Sequence, residues 1–361
     1  FVKYPESNRL HKRTLELSRA FHAGEGDFEL SLHKAQTNDS LWHGVFGGLY
    51  LPNLRDNAYT YLIECENIRY GKKRALVSDT NELDGYLKVK SVQSKLICRF
   101  DAAHGAQLVE LDVRDKRFNY QNTLTRRKEA YHQQLFETPR EKAPPIEEGI
   151  DTIHHASASF DDTLRDAIIY DWYLKNSFVD HISDESFNLE SFRHCNFSEY
   201  GDFANQPFET TLAKNEVIFS RDGGIYRDGK AKTTLSKHFT FGPDTINFEI
   251  GFESEAAEGF NYVMEHNFHF SDYEQILINN VPLEMSGTAH TIDTLEIVDK
   301  VLKKKITLHV SQPFRLHYFQ LQTLSQSEQG FDLSVQGLSI ALVFDFNPSL
   351  RLSGALEITR V

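Results

Sequence analysis

The sequence predicts a mainly β protein: a large antiparallel sandwich preceded by a small α-helical segment. Three observations carry this. Beyond about Tyr70, apolar residues recur with a period of two, in short runs separated by turn residues. Before Arg69 the period is that of a helix. Aromatic residues make up 12% of the chain, with 27 Phe and 15 Tyr, as a large β core favours.

The helical segment covers residues 1-70. Leu10, Leu17 and Phe21 share one face behind a Pro5/Ser7 start. Gly24 and Gly26 break that helix, and Asp27 is expected to cap a short second one. After the Gly47-Gly48 turn, Pro52 suits the first turn of a third. Leu54, Ala58, Tyr61, Leu62, Cys65 and Arg69 mark its inner stripe, apolar except at the last position. Such a hairpin needs a partner surface.

Residues 71-361 are expected to form the sandwich, with a helical insertion near residues 118-137 (Asn122 to Glu137 being its clearest part). Tyr86 to Val92, Lys95 to Asp101 and Ala106 to Val113 read as strands. Phe208 to Ser220, Lys232 to Phe241, Thr245 to Glu253 and Gly259 to Phe270 follow. The last third alternates most cleanly, in four runs: Ile306 to Val310, Phe314 to Tyr318, Phe331 to Val335 and Ile340 to Phe344. Asp222-Gly223-Gly224, Asp228-Gly229 and Gly242-Pro243 read as turns, and the Pro-rich, acidic stretch Pro139 to Gly149 as an exposed loop. Many short strands at regular spacing make a large antiparallel sandwich.

Composition narrows the partners. Lys plus Arg number 39 against 52 Asp plus Glu, a net charge of -13. That acidity argues against nucleic acid and anionic membranes, both of which reward clustered cations. Neutral polysaccharide makes no such demand. No apolar run is long enough to span a bilayer, and the N-terminal residues do not read as a signal peptide. Cys65, Cys98 and Cys195 are odd in number and lack CxxC spacing, which reads as reduced thiols in a cytoplasmic protein. The 16 histidines reach no zinc-ligand spacing, so no metal or other cofactor is assigned. His266 and His269, an odd number of residues apart, are expected to face opposite sides of a sheet. The basic residues Arg114, Lys116, Arg117, Arg126, Arg127 and Lys128 fit either a phosphate site or local salt bridges, with the latter favoured.

The densest chemistry lies between Ala35 and Leu51. Asn38, Asp39, Trp42 and His43 place an amide, a carboxylate, an indole and an imidazole within six residues, just before a glycine-rich turn. Indole faces stack on sugar rings, and the three polar groups supply donors and acceptors for hydroxyls. The bland alternative is a buried Trp at a helix start with Asn38 or Asp39 as cap.

This run, Ala35-Gln36-Thr37-Asn38-Asp39-Ser40-Leu41-Trp42-His43-Gly44, resembles a short motif of glycoside hydrolase family 57, in its 4-alpha-glucanotransferase and alpha-amylase branch. Tyr4 to Arg13 and Asn122 to His132 support the match, and the resemblance spans nearly the whole chain. Thr37 and Leu41 depart from the family's common Cys and aromatic; the second bears on substrate preference more than on membership. The resemblance implies that residues 1-70 end a catalytic domain and that a jelly-roll-like, galactose-mutarotase-like supersandwich follows. It also implies an alpha-glucan or maltooligosaccharide substrate, gripped by Asn38, Asp39, Trp42 and His43. The family's Glu nucleophile and Asp acid/base belong to an upstream catalytic barrel, so no catalytic residue is assigned here. Retaining chemistry needs two carboxylates about 5 Å apart. Asp161-Asp162, Glu64 with Glu66, and Asp222 read instead as caps, solvated faces and a turn. The chain, starting at Phe1, is therefore expected to be the inert C-terminal part of a larger enzyme. A stand-alone carbohydrate-binding module and a purely structural scaffold are the competing readings.

Overall fold

The computed structural model describes residues 3–44, 47–79, 86–137, 162–327 and 330–361. The Pro139 to Gly149 stretch, His154-His155 and Asp161 lie outside the described residues. Helix α1 (Pro5–His22) and helix α3 (Pro52–Tyr70) both open on proline at a first-turn position, where an N–H would have no intrahelical partner. Between them lies α2 (Glu29–Ala35). Leu10, Leu17, Leu32, Ala58, Leu62 and Cys65 close a small core among the three. Asp27 does not cap α2. Phe28 takes that position, buried against Phe21 at a ring separation of 5.7 Å. Burying a Phe contributes about 1.5–3 kcal/mol, against about 1 kcal/mol for an exposed cap.

Two antiparallel sheets follow. The first holds β1 (Ala75–Asp79), β2 (Lys88–Val92), β3 (Leu96–Asp101), β4 (Gln107–Val113) and β5 (Phe118–Asn119), in sequence order. The second has twelve strands. These are β6 (Val179–Ser183), β7 (Glu209–Ala213), β8 (Glu216–Tyr226), β9 (Lys230–Phe241), β10 (Thr245–Ser254), β11 (Asn261–Phe268) and β12 (Ile276–Ile278), then β13 (Val281–Pro282), β14 (Ser286–Asp299), β15 (Lys304–Ser327), β16 (Gly330–Asp345) and β17 (Arg351–Arg360). Their order is β13-β12-β14-β15-β17-β10-β9-β8-β7, with β16, β11 and β6 continuing from β15. The long strand β15 serves both halves: Lys304–Val310 pairs with β17, and Arg315–Ser327 with β16.

The core lies between the sheets. Phe100 and Leu108 of the first meet Phe239, Phe248 and Ile250 of the second. The Phe178 ring centres one cluster, 5.0 Å from Phe239, 5.2 Å from Phe248 and 4.6 Å from His266. A second apolar layer, including Phe187, Phe192, Val263 and Val343, covers the opposite face of β11 and β16. The result is the large antiparallel supersandwich with a short helical preface that the alternation predicts.

Several local expectations change. Phe208 to Ser220 is a hairpin, not one strand. Asp222-Gly223-Gly224 is no turn: β8 runs through it, pairing with Thr234, Thr233 and Lys232. The glycines admit a neighbour, since a Cβ on Gly223 would lie 2.1 Å from Asp202 Oδ1, which accepts from Gly224 N at 2.9 Å. Ile306 to Tyr318 is one strand because Pro313 falls where the β14 ladder breaks register, so its missing N–H disrupts no pairing there. The helical insertion near residues 118-137 shrinks to Ala130–Gln133 and Gln134–Glu137: residues 118–119 are strand and 122–129 irregular. Strands β1 and β6 carry too little apolar alternation to announce themselves; β14 and β17 do alternate, at Leu295/Ile297 and at Leu352, Leu356 and Ile358, and sequence reasoning passed over them.

Buried ions join the helices to the first sheet. Arg13 of α1 bonds Asp112 at 2.6 Å and Glu110 at 3.0 Å, both on β4, and Glu66 of α3 at 2.5 Å. Arg99 of β3 also reaches Glu66, at 2.5 Å. Glu66 is thus fully buried rather than on a solvated face. Sequence periodicity had no means of pairing it with arginines 33 and 53 positions away.

Candidate functional site

The three sequence stretches singled out above meet in space. Glu129 accepts hydrogen bonds from Tyr4 at 2.9 Å, Tyr50 at 2.8 Å and Lys3 at 2.5 Å. Glu6 accepts from Thr125 N at 3.1 Å and pairs with Arg127 at 2.8 Å. Arg55 of α3, wholly buried, donates to Asn122 Oδ1 at 2.7 Å, to Gln336 Oε1 at 2.8 Å and to Leu49 O. Helix α1, the loop after α2, and residues 122–132 therefore form one assembly seated on β16.

The loop itself is shaped by its backbone. Asn38–Leu41 makes a single 3-10 turn, and neither Asn38 nor Asp39 caps a helix; both are exposed. Ser7 Oγ donates to Leu41 O, tying the turn to α1. Trp42 is extended, and its carbonyl accepts from Leu49 N at 2.9 Å. Gly48, at φ +53°, packs its Cα where a Cβ would lie 2.2 Å from Trp42 O. Only glycine fits that turn. The indole lies over Gly44, where a Cβ would meet Trp42 Cζ3 at 2.3 Å. The opposite result to a buried Trp is observed: the indole is 51% exposed.

His43 is half-buried. Its ring packs edge-on to Tyr50 at 4.7 Å and tilts against Tyr131 at 5.4 Å, and Nδ1 lies 3.3 Å from Gly47 O. Burial lowers its pKa, so the imidazole is neutral at pH 7, with one donor and one acceptor nitrogen. Asn38, Asp39, Trp42 and His43 thus sit on one short loop. Among the described residues no hydrogen bond joins their side chains to one another. Sequence reasoning passed over Tyr4, Tyr50 and Glu129, which support the loop. All three lie in the quoted stretches, but nothing in sequence spacing links positions 4, 50 and 129.

The three carboxylates gathered on Arg13, Glu66, Glu110 and Asp112, are buried beneath arginines. The basic knot resolves locally: Arg126 pairs with Asp171 at 2.6 Å, Arg127 with Glu6 and Arg117 with Glu64 at 3.2 Å. Arg114 instead donates to Asn67 and to two backbone carbonyls. His269 bonds Asp56 at 3.0 Å, while His266 is buried among Phe178 and Phe268. The three cysteines are free and buried. No described helix is long and apolar enough to cross a membrane.

Fold and loop together define a β-sandwich protein with a helical preface that carries a half-exposed indole on one short loop with an amide, a carboxylate and an imidazole. Residues 79–356 match the family model for the alpha-amylase/4-alpha-glucanotransferase C-terminal domain, and residues 1–69 that for its middle domain. The chain belongs to this family. The 4-alpha-glucanotransferase of Thermococcus litoralis is 31% identical over 98% of this chain and 51% of its own length. The alpha-amylase of Pyrococcus furiosus is 28% identical over 99% of this chain and 50% of its own. The crystal structure of the Thermococcus litoralis enzyme superposes with a TM-score of 0.82, at 27% identity, over 99% of this chain and 50% of that one. The chain spans about half the length of the curated relatives it matches.

Proposed function

We propose that this chain supplies one wall of an α-glucan cleft in a retaining 4-alpha-glucanotransferase or alpha-amylase, whose reacting carboxylates belong to an upstream catalytic barrel. The half-exposed Trp42 indole, lying over Gly44 on a backbone held by Leu49 N, carries the reading. It stacks under a glucose unit, while Asn38, Asp39 and the neutral His43 bond its hydroxyls. Chemistry proceeds through a covalent glycosyl-enzyme, resolved by water or by a second sugar hydroxyl. Excluding water while holding an acceptor sugar selects transfer over hydrolysis. The sandwich buttresses the cleft through the buried ions on Arg13, and free, buried cysteines fit a cytoplasmic setting.

The test rejoins the chain to its upstream barrel and assays maltooligosaccharides. Trp42→Ala raises KM sharply. Unchanged kinetics in that variant remove Trp42 from the cleft.

A further inference from the structure

The second sheet carries a trough of about 500 Å3 on its outer face, lined among the described residues by β9, β10, β15 and β17. That volume is within the range of small-ligand clefts. No residue of the Trp42 loop contributes to it.

Strand register makes the trough. Glu249 stands opposite His238 on one side and Ser353 on the other. Ser311 completes that row, its Oγ accepting from Ser353 N at 3.0 Å. In the next row Gly251 lies between Ser236 and Arg351. Ser353 and Ser311 in the first row and Ser236 and Gly251 in the second thus leave space between the longer His238, Glu249 and Arg351. Glycine is disfavoured inside strands, and Gly251 has no left-handed φ to require it. Its role is spatial: a Cβ there would lie 3.0 Å from Arg351 Cδ, so the arginine lies flat across the strand. The guanidinium is held by Phe252 O, by Leu350 O at 3.1 Å and by Glu253 at 3.1 Å. The partly exposed guanidinium plane forms one side of the trough.

The lining selects a ligand class. Hydroxyls, two carboxylates, one guanidinium and the His238 imidazole line the space, with no Trp, Tyr or Phe ring among them. Glu249 and Glu253 outnumber Arg351, so phosphates and other anions are repelled. Closely spaced donors and acceptors without excess positive charge suit a neutral polyol. We propose that the trough is a second carbohydrate site, holding a short stretch of α-glucan away from the Trp42 loop. The choice of glucan rests on the function proposed above.

Titration calorimetry of the intact chain with maltoheptaose tests this. Saturable heat is expected, with affinity weakened at least about ten-fold by Ser353→Phe. Phenylalanine suits an exposed strand, so circular dichroism should remain native; Ser311→Tyr gives an independent block. In a Trp42→Ala background saturable heat should remain, and Ser353→Phe should then remove it. Absence of saturable heat overturns the second site, as does undiminished affinity in both folded trough variants. Loss of binding on Trp42→Ala alone also ends it, while leaving the proposed cleft standing. Conversely, binding that only the trough variants lose, beside a barrel-joined enzyme indifferent to Trp42→Ala, keeps the trough and ends the cleft.

Discussion

Arg13 Nη2 stands 2.6 Å from Asp112 Oδ2, joining a helix to a sheet strand across 99 positions of chain. The guanidinium side chain is 1% exposed and the carboxylate 0%. With Glu66 and Glu110 on the same arginine, three buried carboxylates share it. Arg13→Met therefore leaves several negative charges without their main partner, which costs about 3–5 kcal/mol. A fall in thermal unfolding temperature measures it. A variant as stable as the parent would show that Arg99 and Lys90 suffice.

The same cluster gives stability an opposed pH dependence. Burial pushes the Asp112 pKa up to about 7, with Glu110 and Glu66 adding to the shift and Arg13 opposing it. A carboxyl with a raised folded pKa stabilises most when protonated, so its contribution is lost between about pH 4 and 7. Glu66 is lowered to about 2: burial raises it, and Arg13, Arg99 and Lys90 more than compensate. Its contribution is present above pH 4.5 and lost on acidification. Asp112→Asn should flatten the decline from pH 4 to 7, and Glu66→Gln should flatten the acid limb. Chemical denaturation across pH separates the two slopes.

How much of this was legible follows from what sequence encodes locally. Alternation in Thr245 to Glu253 and proline at positions 5 and 52 reported their elements directly, because period and capping are short-range. The Gly223-Gly224 pair misled because its cause, the approach of Asp202, lies some twenty positions away. Glu66 misled for the same reason: an amphipathic stripe does not name the partner beneath it. At the candidate site, Trp42 and His43 stood out by residue type. Tyr50 and Glu129, which hold them, became visible only once the three stretches met.

Gly44 offers a direct check on the indole. A methyl there would overlap the Trp42 ring at 2.3 Å. Gly44→Ala should displace the indole, shifting its emission in a Trp172→Phe background that leaves Trp42 as the sole fluorophore of its kind. Stability should barely change, since the ring is half in solvent. Identical emission would mean that the indole does not rest on Gly44.

Glu129 supports the loop from beneath, and its replacements discriminate between charge and hydrogen bonding. Tyr4 and Tyr50 both donate to Oε1, and Lys3 approaches Oε2. Burial raises the Glu129 pKa, but these three bonds outweigh it and lower the value, so the group is a carboxylate at neutral pH. Glu129→Ala leaves the buried Tyr50 hydroxyl without its acceptor, at a cost of about 1–3 kcal/mol. Because Tyr50 packs on His43 at 4.7 Å, the same change should loosen the imidazole, seen as a shifted His43 resonance. Glu129→Gln keeps an amide oxygen for the tyrosines and forfeits only the attraction of half-exposed Lys3, worth about 0–1 kcal/mol. The alanine variant should therefore be clearly the less stable of the two. Equal losses would assign the effect to charge and take Tyr50 out of the chain of support beneath His43.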